Sequence, residues 1–358
     1  MARRDFDPIE AAARAEANLQ RMSEQLETAV GQMTTGQDWL AAVAFAAQFR
    51  SRSFLNTLLI HVQHQQAFEE GRVPEPYPTY VAGFAEWKNL GRPVAKGQAG
   101  YMIRSPVTTR MASATPGDPN SWRPLGRREK PGTGEKVRER IINVKPGYVW
   151  DVSQTTGDTP VPERPRPVLL EGEAPAGLWD GVAAQIEAAG YRVGSEPDAA
   201  ALGGANGVTD YTARTVTVRA DMDPAARVKT LAHELGHVLM HDPDEGGRSP
   251  HRGISEVEAE SLALMVCASF GMDTTGYTVA YVAGWAGSVP DRTPLEVVGA
   301  TGERVRRTAL AVLDQLPEAP IGDGRPHLSA ESPVRQPSPA LPEIISSETV
   351  STSPGLGL

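Results

Sequence analysis

A single cysteine, Cys267, is all the thiol chemistry available to this chain of 358 residues. One thiol excludes a disulfide within the chain and any zinc site built on cysteines. Lying in an apolar stretch, Cys267 reads as a small buried residue rather than a nucleophile. Long apolar runs are missing too. No stretch reaches the roughly 20 residues of a membrane span, and Met1-Ala2-Arg3-Arg4-Asp5 leads into no apolar signal core. The expected setting is therefore cytoplasmic, with no membrane partner. The hydrophobic share, 40%, is slightly low, and 30 prolines account for part of that. No internal repeat is visible.

Against these absences stands the run His233-Glu234-Leu235-Gly236-His237. It is an H-E-x-x-H motif within an apolar helical pattern formed by Ala225, Val228, Leu231, Ala232, Leu235, Val238 and Leu239. Asp223-Pro224 supplies an N-cap followed by proline at the first helical position. Histidines four apart lie one above the other on a helix, so both imidazoles can reach one metal ion. Zn²⁺ held this way with an open position lowers the pKa of a water to about 7, and Glu234 is placed to act as its general base. Gly236 is unusual here, because a core helix ordinarily avoids glycine.

Two histidines need a third ligand. The run Ser255-Glu256-Val257-Glu258-Ala259-Glu260 opens a second apolar helix, with Ser255 as its expected N-cap. Glu256 and Glu260 share a face, so either could meet the histidines, whereas Glu258 points elsewhere and suits the helix N-terminus electrostatically. His241, one turn beyond His237, could be an alternative ligand but reads rather as a helix-end or imidazole-orienting residue. His251 lies in the loop between the helices, and His61 and His64 read as structural or exposed.

These motifs resemble the zincins with a glutamate ligand, in the ImmA/IrrE-like group. That resemblance implies Glu256 as the metal ligand, with Glu260 orienting an imidazole. The pattern is more similar still to the ArdC-like anti-restriction family, through His233 to His237, Glu256 to Glu260 and Tyr281-Val282-Ala283-Gly284-Trp285. That family joins a C-terminal zincin to an N-terminal domain that binds single-stranded DNA. The segment Tyr211 to Arg219 alternates like a strand, after turn residues Gly203 to Gly207. By analogy with that fold it would bind an extended peptide by strand addition. Tyr211, Tyr277 and Tyr281 are equal candidates for stabilising an oxyanion.

The first half carries a different signal. The whole chain has a net charge of −9, yet Lys88 to Lys145 holds 13 cations against four acids. Tyr77, Tyr80, Trp87, Tyr101 and Trp122 interleave with them. Cations along a groove with stacking faces are what sequence-tolerant single-strand binding requires. Trp87, Lys88, Arg92, Lys96 and Tyr101 are the expected DNA-binding residues. Asn56-Thr57-Leu58-Leu59, Thr79 to Trp87, Leu90 to Gly97 and Val149 to Thr155 resemble the single-strand-binding domain of the ArdC-like family. The chain departs from it by a longer insert, Thr108 to Val137, and by Ala95 at an expected polar position. Gly126 to Arg140 reads as a mobile loop.

The expectation is an α+β protein. An α/β single-strand-binding domain covers 1–155, a Pro-rich linker 156–175, a mainly helical zincin domain with a small β-sheet 176–316, and a disordered tail 317–358. Length allows separate cores for the two domains. The expected function is a zinc metalloendopeptidase acting on a DNA-associated protein, in anti-restriction or mobile-element defence. The rival is a non-catalytic protein that protects single strands and uses the zincin fold as a scaffold.

Overall fold

The chain from Trp39 to Val62 folds into two helices, because it leaves helical geometry at Phe49 and restarts after Ser53. In this computed structural model residues 8–33, 35–157, 159, 172–243, 252–272, 286, 289, 291–317, 319 and 322–325 are described. Helix α1 (Pro8–Gln32) is followed by α2 (Gly36–Gln48) and α3 (Phe54–Glu69). Thr35 and Asp38 close a reciprocal capping box at the start of α2.

An antiparallel sheet follows: β1 (Val81–Gly83), β2 (Tyr101–Ser113), β3 (Arg123–Pro124) and β4 (Lys136–Asp151), in the order β1-β4-β2-β3. Helix α4 (Phe84–Asn89) leaves β1 directly. Strands β2 and β4 are long, running well beyond their inner ends at Tyr101 and Asp151. Of Gly126 to Arg140, expected as a mobile loop, residues 136–140 belong to β4 and the rest forms turns at the tip, while the insert from Thr108 also supplies the outer half of β2 and β3. Alternating polar and β-branched residues (Val107-Thr108-Thr109 opposite Arg140-Ile141) favour that pairing, with one register shift after Val107.

The second half begins with α5 (Leu178–Ala188), then β5 (Arg192–Glu196), β6 (Gly207–Asp210) and β7 (Thr215–Arg219), in the order β5-β7-β6. The single strand expected over Tyr211 to Arg219 is corrected by this hairpin. Residues 211–214 turn, with Arg214 at φ 50°, and the edge strand is β6. Helices α6 (Pro224–His241), α7 (Arg252–Ser269) and α8 (Pro294–Leu313) complete the unit. Asp223 caps α6, accepting the Ala226 N–H as expected. Helix α7 starts at Arg252, so Ser255 lies inside its first turn and is not its N-cap.

The two halves share one core rather than having separate ones. Met22, Trp39 and Leu59 pack in the same cluster as Leu235, Val257, Leu262 and Val298. Trp39 Nε1 donates to Ser261 Oγ at 2.7 Å on α7, and Glu303 on α8 accepts the Phe54 N–H that opens α3. A smaller cluster of Phe49, Ile60, Val81, Tyr101 and Val149 lies under the first sheet. Residues 322–325, expected as part of a disordered tail, are held here. The Gly324 carbonyl accepts the Val81 N–H, and Arg325 pairs with Glu86 at 3.0 Å. Most of the Pro-rich linker, His251, Tyr277, Tyr281 to Trp285 and residues 327–358 lie outside the described residues. Among the described residues no helix is long and apolar enough to cross a membrane.

Candidate metal centre

The close approach of α6 and α7 builds the site. Gly236 makes it possible, since a Cβ there would sit 2.8 Å from the Ala259 Cα, on backbone that cannot move aside. That packing brings the first turns of α7 over the histidines of α6. His233 Nε2 and His237 Nε2 lie 3.1 Å apart, with Glu256 Oε2 at 3.5 and 3.6 Å from them. The three potential ligand atoms all fall within 4.8 Å of one another. Tetrahedral zinc with bonds of about 2.0–2.1 Å separates its ligand atoms by about 3.3 Å, so the spacing fits such an ion.

The distal nitrogens are already engaged. His233 Nδ1 lies 3.0 Å from Glu260 Oε2, and Glu260 also pairs with Lys229 at 3.2 Å. His237 Nδ1 lies 3.1 Å from His241 Nδ1, and His241 Nε2 lies 2.9 Å from Glu258 Oε2. Glu258 is only 2% exposed and is also reached by Arg304 at 3.2 Å. The expectation that Glu258 serves only the helix N-terminus is therefore corrected; it is a buried partner of His241. Its role comes from the packing of α6 against α7, which no local pattern in the sequence announces. A carboxylate on Nδ1 fixes the imidazole with its Nε2 lone pair free for a metal.

Electrostatics agree with a cation site. Burial acts to lower the His233 pKa, but its hydrogen bonds to Glu256 and Glu260 and the charge of Glu234 outweigh it and raise it to about 9. Hydrogen bonds from His233 and His237 hold Glu256 well below the usual carboxylate range. Burial keeps His241 below the ordinary histidine value despite Glu258.

Glu234 is buried against β6. Thr209 Oγ1 donates to Glu234 Oε2 at 2.6 Å, an interaction not foreseen from sequence. Gly207 leaves room for this carboxylate, because a Cβ there would lie 2.8 Å from Oε1. A cleft of about 650 Å³ runs along β6 past Tyr211, His233, Glu234, His237 and Glu256. Burial, reinforced by the charges of Glu234, Asp242 and Glu256, pushes the Tyr211 hydroxyl up to about 12.

The expected DNA-binding residues do not come together as a surface. Trp87 is 0% exposed, with its indole N–H donating to the Trp150 carbonyl, and Tyr101 is 2% exposed, bonded to His64 at 2.8 Å. Both are core residues with no face to offer a base, which corrects that part of the expectation. Arg92 binds the Gly157 and Thr159 carbonyls and braces the end of the domain. Lys88 and Lys96 remain exposed. The aromatic faces that reach solvent are others. Phe84 is 55% and Tyr148 44% exposed, with half-buried Trp150 between them at centroid distances of 5.9 and 6.5 Å.

Two family models match the chain. The N-terminal domain of anti-restriction factor ArdC matches residues 14–150, and the IrrE N-terminal-like domain matches residues 186–273. In this order the two matches support an ArdC-like family. An uncharacterized protein of Bacillus anthracis is 24% identical over 300 residues, 78% of this ArdC-like chain and 48% of that protein; the chain thus spans about half of its relative. Two crystal structures of the antirestriction ArdC protein from the R388 plasmid are also similar. The metal-free one is 20% identical, covers 73% of this chain and 84% of its own, and has a TM-score of 0.45. The Mn(II)-bound one is 18% identical, covers 73% and 87%, and has a TM-score of 0.41.

Proposed function

We propose that this ArdC-like protein is a zinc metallopeptidase coupled to single-strand DNA binding, acting on a DNA-associated protein in anti-restriction or mobile-element defence. The observation that carries the reading is the cluster of His233, His237 and Glu256 beside a buried carboxylate, in an open cleft edged by a strand. His233 and His237 through Nε2 and Glu256 through Oε2 would hold the ion. When bound, zinc supplies Lewis acidity and lowers the pKa of a water to about 7. Glu234 takes up a proton and passes it to the leaving amine. With Oε2 accepting the Thr209 hydroxyl, Oε1 is the atom left to receive that proton. The free edge of β6 would align an extended peptide along the cleft. Tyr211 stays protonated at neutral pH and can donate to a developing oxyanion.

Single-stranded DNA would stack on Phe84, Trp150 and Tyr148 rather than on Trp87 and Tyr101. Lys88, one turn after Phe84 on α4, supplies a cation beside that platform.

Glu234→Gln tests the enzymatic reading. The variant should retain one zinc per chain and lose hydrolysis of a DNA-associated protein substrate. Full biological effect in the zinc-loaded variant would instead make the zincin fold a scaffold.

A further inference from the structure

The outer half of the β2–β4 ribbon is used by neither the metal centre nor the aromatic platform. The two strands stay paired from Tyr101↔Val149 out to Ser113↔Lys136. Eight consecutive residues of β4, Lys136 to Asn143, are exposed. A strand in a packed sheet buries at least alternate residues, so here neither face of β4 is covered. Two strands alone are marginally stable in water, and β3 adds a third only at Met111 and Ala112. The tip is clamped by side chains as well. Arg123 pairs with Glu135 at 2.9 Å and with Glu129, and the Arg138 guanidinium lies 3.9 Å over the Trp122 ring.

Strand alternation sorts the exposed residues by chemistry. Lys136, Arg138 and Arg140 share one face, while Val137, Glu139 and Ile141 share the other. The cations stand opposite neutral Ser113, Met111 and Thr109. Among the described residues Lys136 and Arg140 have no carboxylate partner. Arg127, Arg128 and Lys130 add exposed charge in the tip loop.

We infer that this cationic face grips the phosphate backbone of duplex DNA. Alternate residues on a strand are about 6.7 Å apart, close to the rise of two base pairs along one DNA strand, about 6.8 Å. Single strands are held by stacking as well as by charge, and among the described residues this face presents no free aromatic, since Arg138 covers the Trp122 ring. Tyr148, by contrast, pairs with Met102, whereas Arg138 pairs with Met111, nine rungs farther out and about 30 Å away. The arm and the aromatic platform are thus separate surfaces, and the arm's role stands whether or not the metal centre cleaves peptides.

The test compares the full chain with its Lys136→Gln/Arg138→Gln/Arg140→Gln variant by fluorescence anisotropy. The probes are a labelled blunt duplex and a single strand of the same sequence. Loss of three phosphate contacts should weaken duplex binding about tenfold or more and flatten the log–log salt dependence by about 2.7. Single-strand affinity should not change. Because Arg138 also clamps Trp122, the Lys136→Gln/Arg140→Gln pair is measured too, with an expected flattening of about 1.8. Unchanged duplex affinity in both variants, or equal losses on duplex and single strand, would overturn the proposal. So would an equal loss in Val137→Thr/Ile141→Thr, which would move the contact to the opposite face.

Discussion

His241 stands between His237 and Glu258, with Nδ1 3.1 Å from the His237 Nδ1 and Nε2 2.9 Å from the carboxylate. A residue one turn past the motif thereby orients a proposed ligand and is itself held by a buried acid on α7. Glu258→Gln keeps the shape but removes the charge that fixes the His241 ring. Zinc affinity, measured by competition with a chelator, should fall about 10–100-fold without being abolished. Unchanged affinity would reduce the Glu258–His241 pair to a packing role.

Thr209 acts on the other side of the motif. Its hydroxyl donates to Glu234 at 2.6 Å, a bond to a charged acceptor. Thr209→Val has nearly the same volume and removes only the donor. Such a bond is worth about 1.5–3 kcal/mol, so kcat should fall roughly 10–100-fold with zinc content unchanged. A purely structural Thr209 would lower stability and leave kcat in place.

The DNA surface yields a paired test. Phe84→Ala removes an exposed ring and should weaken single-strand binding by about 1–3 kcal/mol while leaving the melting temperature nearly unchanged. Trp87→Ala empties a fully buried position and should cost about 3–5 kcal/mol of stability. If Trp87→Ala lost DNA affinity while keeping its stability, the core position assigned here to Trp87 would be wrong.

What could be read from sequence followed periodicity and spacing. The two histidines were legible because i to i+4 places them on one helical face whatever the tertiary context, and Glu234 by its fixed place in the H-E-x-x-H motif. The choice between Glu256 and Glu260 needed a helix–helix contact. Glu256 comes within 3.6 Å of both imidazoles, while Glu260 reaches only the far nitrogen of His233. Thr209 and Glu258 were illegible, because their partners lie 25 and 17 residues away and meet them only through packing. Aromatic positions misled for a related reason. Trp87 and Tyr101 lie among cations in sequence, but burial depends on which face of the strand or helix meets the core. The shared core was hidden as well. Trp39 and Ser261 are separated by 222 residues, and no local pattern announces their hydrogen bond.

The same shared core makes the seam between the halves sensitive to acid. Glu303 on α8 accepts the Phe54 N–H at 3.1 Å and pairs with Arg306 and Arg307. Burial works to raise its pKa, but the Arg306 bond and the Phe54 N–H outweigh burial and hold it below the ordinary 4.5. A carboxylate with a depressed native pKa stabilises the fold fully above its unfolded value. That contribution is lost as pH falls through the native one. Glu303→Gln cannot titrate. Its denaturation midpoint should lie below that of the wild type at neutral pH, and the gap should close as pH drops below 4.5. A gap that stays constant across that range would assign the loss to the amide's weaker bond to the Phe54 N–H rather than to charge.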